Sequence, residues 1–284
     1  MKLSRYSVND YKLIDNIDDN FINKNIEKLG VKNIWNKTKG EGVKIAIIDS
    51  GINHSHPDLY NKINKIINFK HYEESIDLNG HGTAMAGVIA GDKTGVAPNS
   101  ELYIAKVLNK DGFGTASDIL EGITFAINYN VDILSVSLGM RKEVPKGIKL
   151  AIDKATKKGI TVVCATGNLG RRYVDYPARY SNVIGVGGLD EDGNLSQFSN
   201  YGDGMNFTAP STNVITTNNN GKYISLNGTS LSSAYVAGVV ALVKSYYRKY
   251  KNKELNNNEL INIMERMFMN DSEYDFDFNK LEEC

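Results

Sequence analysis

An acid, an imidazole and a hydroxyl group occur in that order along the chain, each close to a glycine. Asp49 begins the sequence DSG, His81 begins HGT, and Ser230 ends GTS. A serine hydroxyl is a poor nucleophile at neutral pH, so an adjacent imidazole must remove its proton. A carboxylate that accepts a hydrogen bond from the other ring nitrogen holds that imidazole in one tautomer. Together the three residue types predict acyl transfer by a serine nucleophile.

Each segment also has an ordinary structural interpretation when it is taken alone. Asp49 with the Ser and Gly that follow it is typical of a turn after a strand. His81 is typical of a solvated or capping residue at a helix start, and the residues before Ser230 are typical of a helix N-cap. The glycines favour the chemical interpretation, because they let a substrate backbone approach closely.

Asn168 follows Gly167 directly after an apolar run. The tetrahedral intermediate of acyl transfer carries a negative oxygen that needs hydrogen-bond donors aimed at it. The Asn168 side-chain amide and the backbone N–H of Ser230, at the positive end of a helix, can supply them. A simple turn residue is the alternative interpretation of Asn168.

The composition limits the classes of partner. The chain has 284 residues, with 33 Lys and Arg against 33 Asp and Glu. A formal net charge of zero disfavours binding to nucleic acid or a membrane surface through a global positive field. Two cysteines are too few for a disulfide scaffold and favour a reducing compartment. Residues 1–20 lack the apolar region of a secretory signal, so we expect a cytoplasmic protein without a membrane partner.

Buried apolar runs alternate with helical periods from residue 43 to about residue 190. This alternation predicts one α/β domain around a mostly parallel sheet, in which ligands collect at the carboxyl ends of the strands. The predicted strands are residues 43–48, 102–108, 131–138, 160–165 and 183–186, and the predicted helices are residues 82–90, 117–128, 146–158, 230–247 and 258–268. A hairpin is predicted around residues 218–221.

The segments around Asp49, His81 and Ser230 resemble the signature segments of the subtilisin-like serine proteases, the subtilases. HPDL at residues 56–59, GVAP at residues 95–98 and SLG at residues 137–139 extend the resemblance. It implies a three-layer α/β fold and a serine endopeptidase that forms an acyl-enzyme. In that enzyme Asp49 orients His81, His81 acts as base and then acid, Ser230 is the nucleophile, and Asn168 binds the oxyanion.

The resemblance also implies that two segments hold an extended protein or peptide substrate between them. They contain Gly112, Phe113, Gly114, Ser137, Leu138 and Gly139. Both segments contain glycine and follow predicted strands, so we expect free backbone groups that pair with the substrate main chain.

Asp175 falls where the family has the base of its S1 pocket. A carboxylate in that pocket favours Lys or Arg at the P1 position of the substrate. A surface ion pair of Asp175 with Arg171 or Arg172 is the alternative interpretation.

The chemistry requires no cofactor and no metal. Asp58 matches a calcium ligand of secreted subtilases, but the partner loop, residues 91–95, is shorter than theirs, so we do not expect that site. A cation held by main-chain carbonyls elsewhere stays open. The sequence His54-x-His56 is no complete zinc set, and Cys164 in its apolar run is typical of a small buried residue rather than a nucleophile.

The resemblance is greatest to the intracellular subtilisins, because no secretory signal precedes the domain. Residues 1–25 are interpreted as an extension and candidate short propeptide, and residues 26–284 as the catalytic domain. In that group a short N-terminal segment covers the cleft until it is removed, and a packed or disordered arm is the alternative here. Two other functions stay open: a catalytically silent peptide-binding relative, and a protease that matures one leader peptide.

Overall fold

A computed structural model describes residues 12–18, 21, 23–268 and 276–283. The strands are β1 (Lys12–Ile14), β2 (Lys44–Asp49), β3 (Ile63–Asn68), β4 (Glu101–Lys106), β5 (Ile133–Val136), β6 (Thr161–Ala165), β7 (Ile184–Leu189), β8 (Phe207–Pro210), β9 (Val214–Thr217) and β10 (Tyr223–Leu226). The helices are α1 (Lys24–Lys28), α2 (His81–Ala90), α3 (Ala116–Asn128), α4 (Lys146–Lys157), α5 (Thr229–Tyr246), α6 (Asn257–Phe268) and α7 (Lys280–Glu283).

Seven strands form one parallel sheet in the order β3-β4-β2-β5-β6-β7-β8. The central strands are buried on both faces, which is why their sequences are almost continuously apolar. This architecture confirms the predicted α/β class with a parallel central sheet flanked by helices.

The two faces of β2 show how the layers form. Ile45 and Ile47 belong to the cluster of apolar side chains that includes α2, α5 and α6. Ala46 and Ile48 belong to the opposite cluster, which includes α3 and α4. Alternate residues of a strand point to opposite faces, so one strand joins both helical layers to the sheet. Helix α5 is buried along all 18 of its residues.

The segments with predicted chemistry lie at helix starts and strand ends. Asp49 is the last residue of β2, His81 the first residue of α2, and Ser230 the second residue of α5. Strand β5 ends at Val136, just before Ser137. Since β2 and β5 are parallel neighbours, their carboxyl ends lie at the same edge of the sheet.

A smaller antiparallel sheet has the order β1-β10-β9. The turn between β9 and β10 confirms the predicted hairpin around residues 218–221. Strand β9 is held against α2, because the Thr217 hydroxyl donates to the backbone oxygen of Thr83 at 2.7 Å. Strand β1 was not predicted, and it lies within the interpreted extension, residues 1–25.

The chain on either side of the sheet packs on the same core. Ile26 in α1 is buried at the front of the chain, and Phe276, Phe278 and Leu281 are buried near its end. The sequence offered no assignment for residues 271–284, of which residues 271–275 and 284 lie outside the described residues. No helix in the described ranges has the length and apolar character that crossing a bilayer requires.

Candidate active site

Asp49 and His81 form a close pair. The ring nitrogen Nδ1 of His81 lies 2.7 Å from Oδ1 and 2.7 Å from Oδ2 of Asp49. Both side chains are buried, with residue exposures of 0% for Asp49 and 2% for His81. Since a carboxylate only accepts, Nδ1 carries a proton and donates it to Asp49.

The end of β2 is fixed tightly against the start of α2. The backbone N–H of Ser50 donates to Asp49 Oδ1 at 2.7 Å, and the Ser50 hydroxyl accepts the N–H of Gly82 at 2.9 Å. A Cβ atom on residue 82 would run into the carbonyl oxygen of Gly51. The glycine after His81 is therefore required by this close approach of helix and strand end.

Ser230 lies in the first turn of α5 and is 4% exposed. Its hydroxyl donates to the carbonyl oxygen of Ser137 at 3.2 Å, which brings the start of α5 to the end of β5. The hydroxyl of Ser233, one turn along, donates to the carbonyl of Ser230 at 2.8 Å. The serine predicted as nucleophile is thus held at a helix start beside a segment predicted to bind substrate.

The Asn168 amide caps the same helix. Its Oδ1 accepts the backbone N–H of Thr229 at 2.8 Å and the Thr229 hydroxyl at 2.7 Å. These two bonds orient the amide, so its Nδ2 donor points away from Thr229. The backbone N–H of Ser230 has no hydrogen-bond partner within the described part of the chain. Two donors, Asn168 Nδ2 and Ser230 N–H, thus flank one helix start.

The two predicted substrate segments differ in their backbone groups. Among the described residues, Leu138 and Gly139 have no backbone hydrogen bond, and their pairing with a substrate stays a prediction. The expectation is wrong for Gly112 and Phe113, because residues 109–113 form a tight turn. The N–H of Gly112 donates to the Asn109 carbonyl at 2.9 Å, and that of Phe113 donates to Asn109 Oδ1 at 2.8 Å.

Phe113 and Gly114 also lie at the surface of this region. Phe113 is 45% exposed, so its ring is an apolar surface beside the turn. A Cβ atom on Gly114 would lie 2.5 Å from the carbonyl oxygen of Val107, at the end of the β4 segment. The turn that carries Phe113 is therefore packed closely on the strand below it.

Asp175 lies against both Gly167 and Gly139. A Cβ atom on Gly167 would be 2.5 Å from Asp175 Oδ2, and one on Gly139 would be 3.4 Å from Asp175 Cβ. Burial raises the pKa of the Asp175 carboxyl, and the charges of Arg171 and Arg141 oppose that increase. Within the described residues this carboxylate forms no hydrogen bond and no ion pair, so the alternative surface pair with an arginine is not formed.

Lys106 is a buried cation that the sequence analysis missed. It pairs in register with Asp49, is fully buried, and donates to the Ser50 carbonyl at 2.8 Å and to the Leu108 carbonyl at 3.2 Å. Its ammonium lies 3.1 Å from Glu73 Oε2. A lysine at the end of an apolar strand was the available signal, since a buried charge needs partners.

Asp58 is used within the protein. Its Oδ1 accepts the N–H of Lys93 at 2.8 Å, and its Oδ2 accepts the Thr94 hydroxyl at 2.9 Å. The carboxylate thus caps the short loop, residues 91–95, with a donor on each oxygen. The described residues contain no group of three or more His, Cys, Asp or Glu arranged to hold a metal ion.

The two other candidates from the sequence are structural. His56 is buried, with Nδ1 accepting the N–H of Asp58 at 3.1 Å and Nε2 lying 2.7 Å from the carbonyl of Lys222. Cys164 is fully buried in β6, and burial raises the pKa of its thiol. Neither side chain is available as a metal ligand or nucleophile in this arrangement.

Comparisons with known proteins identify the family of the chain. Residues 40–277 match the subtilase family. A thermostable alkaline protease of Halalkalibacterium halodurans is 43% identical over 76% of this chain, and the match spans 60% of that protease. The major intracellular serine protease of Bacillus subtilis is 39% identical over 86% of this chain and 82% of its own length.

A solved structure gives the same result for the fold. The crystal structure of a cold adapted subtilisin-like serine proteinase superposes with a TM-score of 0.74 and 29% identity, covering 81% of this chain and 84% of that one. An intracellular serine protease of Paenibacillus polymyxa is 38% identical over 85% of this chain and 78% of its own length. The predicted resemblance is confirmed: the chain belongs to the subtilase family of serine proteases.

Proposed function

We propose that this subtilase is an endopeptidase that uses Asp49, His81 and Ser230 as its catalytic residues. The observation that carries the proposal is the buried Asp49–His81 pair, in which the carboxylate accepts a hydrogen bond from Nδ1 at 2.7 Å. In the neutral tautomer with its proton on Nδ1, the lone pair that a general base uses is on Nε2. The nucleophile is held at a helix start with its Oγ on the Ser137 carbonyl.

The reaction follows from these groups. The Ser230 Oγ bonds to the carbon of the scissile carbonyl as its proton passes to His81 Nε2. The negative oxygen that forms is stabilised by Asn168 Nδ2 and the Ser230 N–H. His81 then gives the proton to the leaving amine, and the C–N bond breaks. A water molecule, activated by the same imidazole, hydrolyses the acyl-enzyme and releases the second product.

The substrate binds as an extended strand. The backbone groups of Leu138 and Gly139 support this, because they have no hydrogen-bond partner among the described residues and an extended peptide adds to such groups by main-chain hydrogen bonds. Of the segment Gly112–Phe113–Gly114, the N–H groups of the first two residues are engaged in a turn, so we assign its contribution to the exposed Phe113 ring and to Gly114.

Lys or Arg is the preferred residue at P1. Asp175 supports this preference because it is 8% exposed and has no cation paired with it among the described residues. A basic substrate side chain would supply the missing partner. A poorly hydrated carboxylate gains more from such a partner than an exposed one does.

The N-terminal extension, residues 1–25, is proposed to cover the cleft. Strand β1 supports this, because Lys12 pairs with Ser225, which lies five residues before Ser230 in the chain. The residues before Lys12 lie outside the described part.

We further propose a cytoplasmic location, which is supported by the intracellular proteases among the relatives. We also propose that Asp58 binds no calcium, because its oxygens have protein donors.

A fluorophosphonate probe tests the catalytic assignment. We expect it to label the protein at Ser230, and we expect the protein to digest an unfolded substrate such as a reduced, alkylated protein. Ser230→Ala removes both activities, while Ser55→Ala, which alters an exposed serine, changes neither. If the folded wild-type protein is not labelled, it is instead a catalytically silent peptide-binding relative. Labelling with digestion of only one leader peptide would show a maturation protease.

A further inference from the structure

Asp77 is a buried carboxylate that no part of the proposed reaction uses. It is 3% exposed, and each of its oxygens accepts hydrogen bonds from groups of the protein. Oδ1 accepts the N–H groups of Asn79 at 3.0 Å and Gly80 at 2.8 Å. Oδ2 accepts both the N–H of Thr83, at 2.9 Å, and the Thr83 hydroxyl, at 2.7 Å. A buried charge with this many donors has a defined orientation.

These bonds make Asp77 the cap of α2, the helix that begins with His81. The N-cap residue of that helix is Gly80, which has no side chain to satisfy the first N–H groups. Asp77 supplies the missing acceptor from three residues upstream, and a negative charge is favourable at that end of a helix. The position and direction of the first turn of α2 therefore depend on Asp77.

Asp77 is also bonded to the end of β2. The Ser50 hydroxyl donates to Asp77 Oδ1 at 2.9 Å, and the same hydroxyl accepts the Gly82 N–H at 2.9 Å. The Ser50 N–H in turn donates to Asp49 Oδ1 at 2.7 Å. A continuous path of hydrogen bonds thus runs from the carboxylate of Asp49 through Ser50 to Asp77 and on to the helix of His81.

We infer that Asp77 is a positioning residue of the active site, which fixes the angle between the end of β2 and the start of α2. It does not touch the reacting atoms, and it acts by holding His81 at the right distance from Asp49. The inference rests on the proposed function of these two residues. A displacement of about 1 Å in such a constellation can cost about 100-fold in rate.

Asp77→Asn is the informative change, because an amide has nearly the same size as the carboxylate. Its NH2 group would face N–H donors where an oxygen accepted them. Asp58→Asn is a matched control, since Asp58 is also 3% exposed and also accepts a backbone N–H and a threonine hydroxyl, away from the pair of Asp49 and His81. Both variants lose a buried acceptor, and only one disturbs the link to His81.

We expect Asp77→Asn to lower kcat about 10-fold to 100-fold with KM within about twofold of the wild type. The NMR resonance of the His81 Nδ1 proton should shift or broaden as its bond to Asp49 loosens. Asp58→Asn should lower Tm while its kcat and its Nδ1 resonance stay as in the wild type. Equal kcat in folded Asp77→Asn and wild type, or an equal kcat loss in the two Asn variants, would overturn the inference.

Ser50→Ala provides a second test, which keeps the Asp77 carboxylate and removes the hydroxyl that joins it to the end of β2 and to the Gly82 N–H. We expect the same loss of kcat without a change in KM, and little further loss when Ser50→Ala is combined with Asp77→Asn. If Asp77→Asn does not fold, an unchanged kcat in Ser50→Ala overturns the inference. The proposed function is judged separately, by activity in the wild type and its absence in Ser230→Ala.

Discussion

The side-chain oxygen of Asn168 accepts both the backbone N–H and the hydroxyl of Thr229, at 2.8 and 2.7 Å. Both bonds go to the same oxygen, so they fix the orientation of the amide. The residue after Thr229 is Ser230, whose own N–H has no partner among the described residues. Thr229 thus orients the Asn168 amide, and its neighbour Ser230, the predicted nucleophile, adds a backbone N–H donor.

Asn168→Ala should remove one of these two donors. We expect kcat to fall about 100-fold to 1,000-fold with a small change in KM, because the donor acts on charge that develops in the transition state. Steady-state kinetics on a peptide substrate measures this. Asn194→Ala, at an exposed asparagine, is the control and should leave kcat unchanged. A full rate in Asn168→Ala would contradict the assignment of the oxyanion donor.

Asp175→Asn should abolish the preference for basic residues at P1. We expect the ratio of kcat/KM for Arg over Phe at P1, in otherwise matched peptides, to fall about 10-fold or more, because a charge pair in a poorly hydrated pocket is lost. Asp192→Asn, at an exposed loop position, should leave the ratio unchanged. Equal cleavage of the Arg and Phe peptides by the wild type would disprove the preference.

The selectivity should also depend on pH. Burial raises the pKa of Asp175, against the opposing charges of Arg171 and Arg141, so its charge is lost at a higher pH than that of an ordinary aspartate. The Arg-to-Phe ratio of the wild type should therefore decline as the pH falls toward that raised pKa, and the ratio of Asp175→Asn should stay flat. A wild-type ratio that is constant from neutral pH down to the ordinary range of aspartate contradicts this.

Glu73 should contribute stability that disappears in acid. Burial alone would raise the pKa of Glu73, but the Lys110 N–H and the Lys106 ammonium lower it below the usual 4.5. A carboxyl whose pKa is lower in the folded state stabilises the fold above its unfolded pKa and loses that contribution as the pH falls through its folded pKa. Glu73→Gln should thus lower Tm at neutral pH, and the difference should close in acid. Equal Tm values at neutral pH would contradict the pairing.

Removal of residues 1–14 should increase peptidase activity. This deletion takes away β1 and what precedes it but keeps Asn23, whose side-chain N–H donates to the Thr94 carbonyl at 3.2 Å. The rate on a peptide substrate should rise, because the proposed cover of the cleft is removed. Deletion of residues 1–11 alone separates the part before β1 from the strand itself. Rates equal to that of the full chain in both deletions would show a structural arm.

The parts that the sequence predicted well are those whose burial is uniform. Strand β2 was predicted within one residue, because a strand covered on both faces is almost continuously apolar. Strands β3 and β8 were missed because they lie at the edges of the sheet. The sequence INKIIN of β3 contains polar residues that face solvent, and β8 is short and ends in a proline.

The candidate site divides in the same way. Asp49, His81 and Ser230 could be proposed from the sequence because their residue types and neighbouring glycines describe a reaction. Asp77 was missed because nothing in its local sequence sets it apart from an ordinary polar residue, and Lys106 was missed although it ends an apolar strand. Their roles exist only where distant segments meet, and the contacts of Asp77 with Ser50 illustrate this. The engaged N–H groups of Gly112 and Phe113 likewise depend on Asn109, a turn that glycine spacing did not reveal.

The substrate binding proposed at Leu138 and Gly139 bears on which cellular proteins this protease can reach. A chain must give up its own secondary structure before its main chain can pair there, so a natively folded protein is cut only while a stretch of it is transiently open. The rate of its destruction then follows its own opening equilibrium. Nascent, heat-damaged or loosely folded proteins would be cleaved first. A stably folded protein would be protected even if it contained the same residues at the cleavage point.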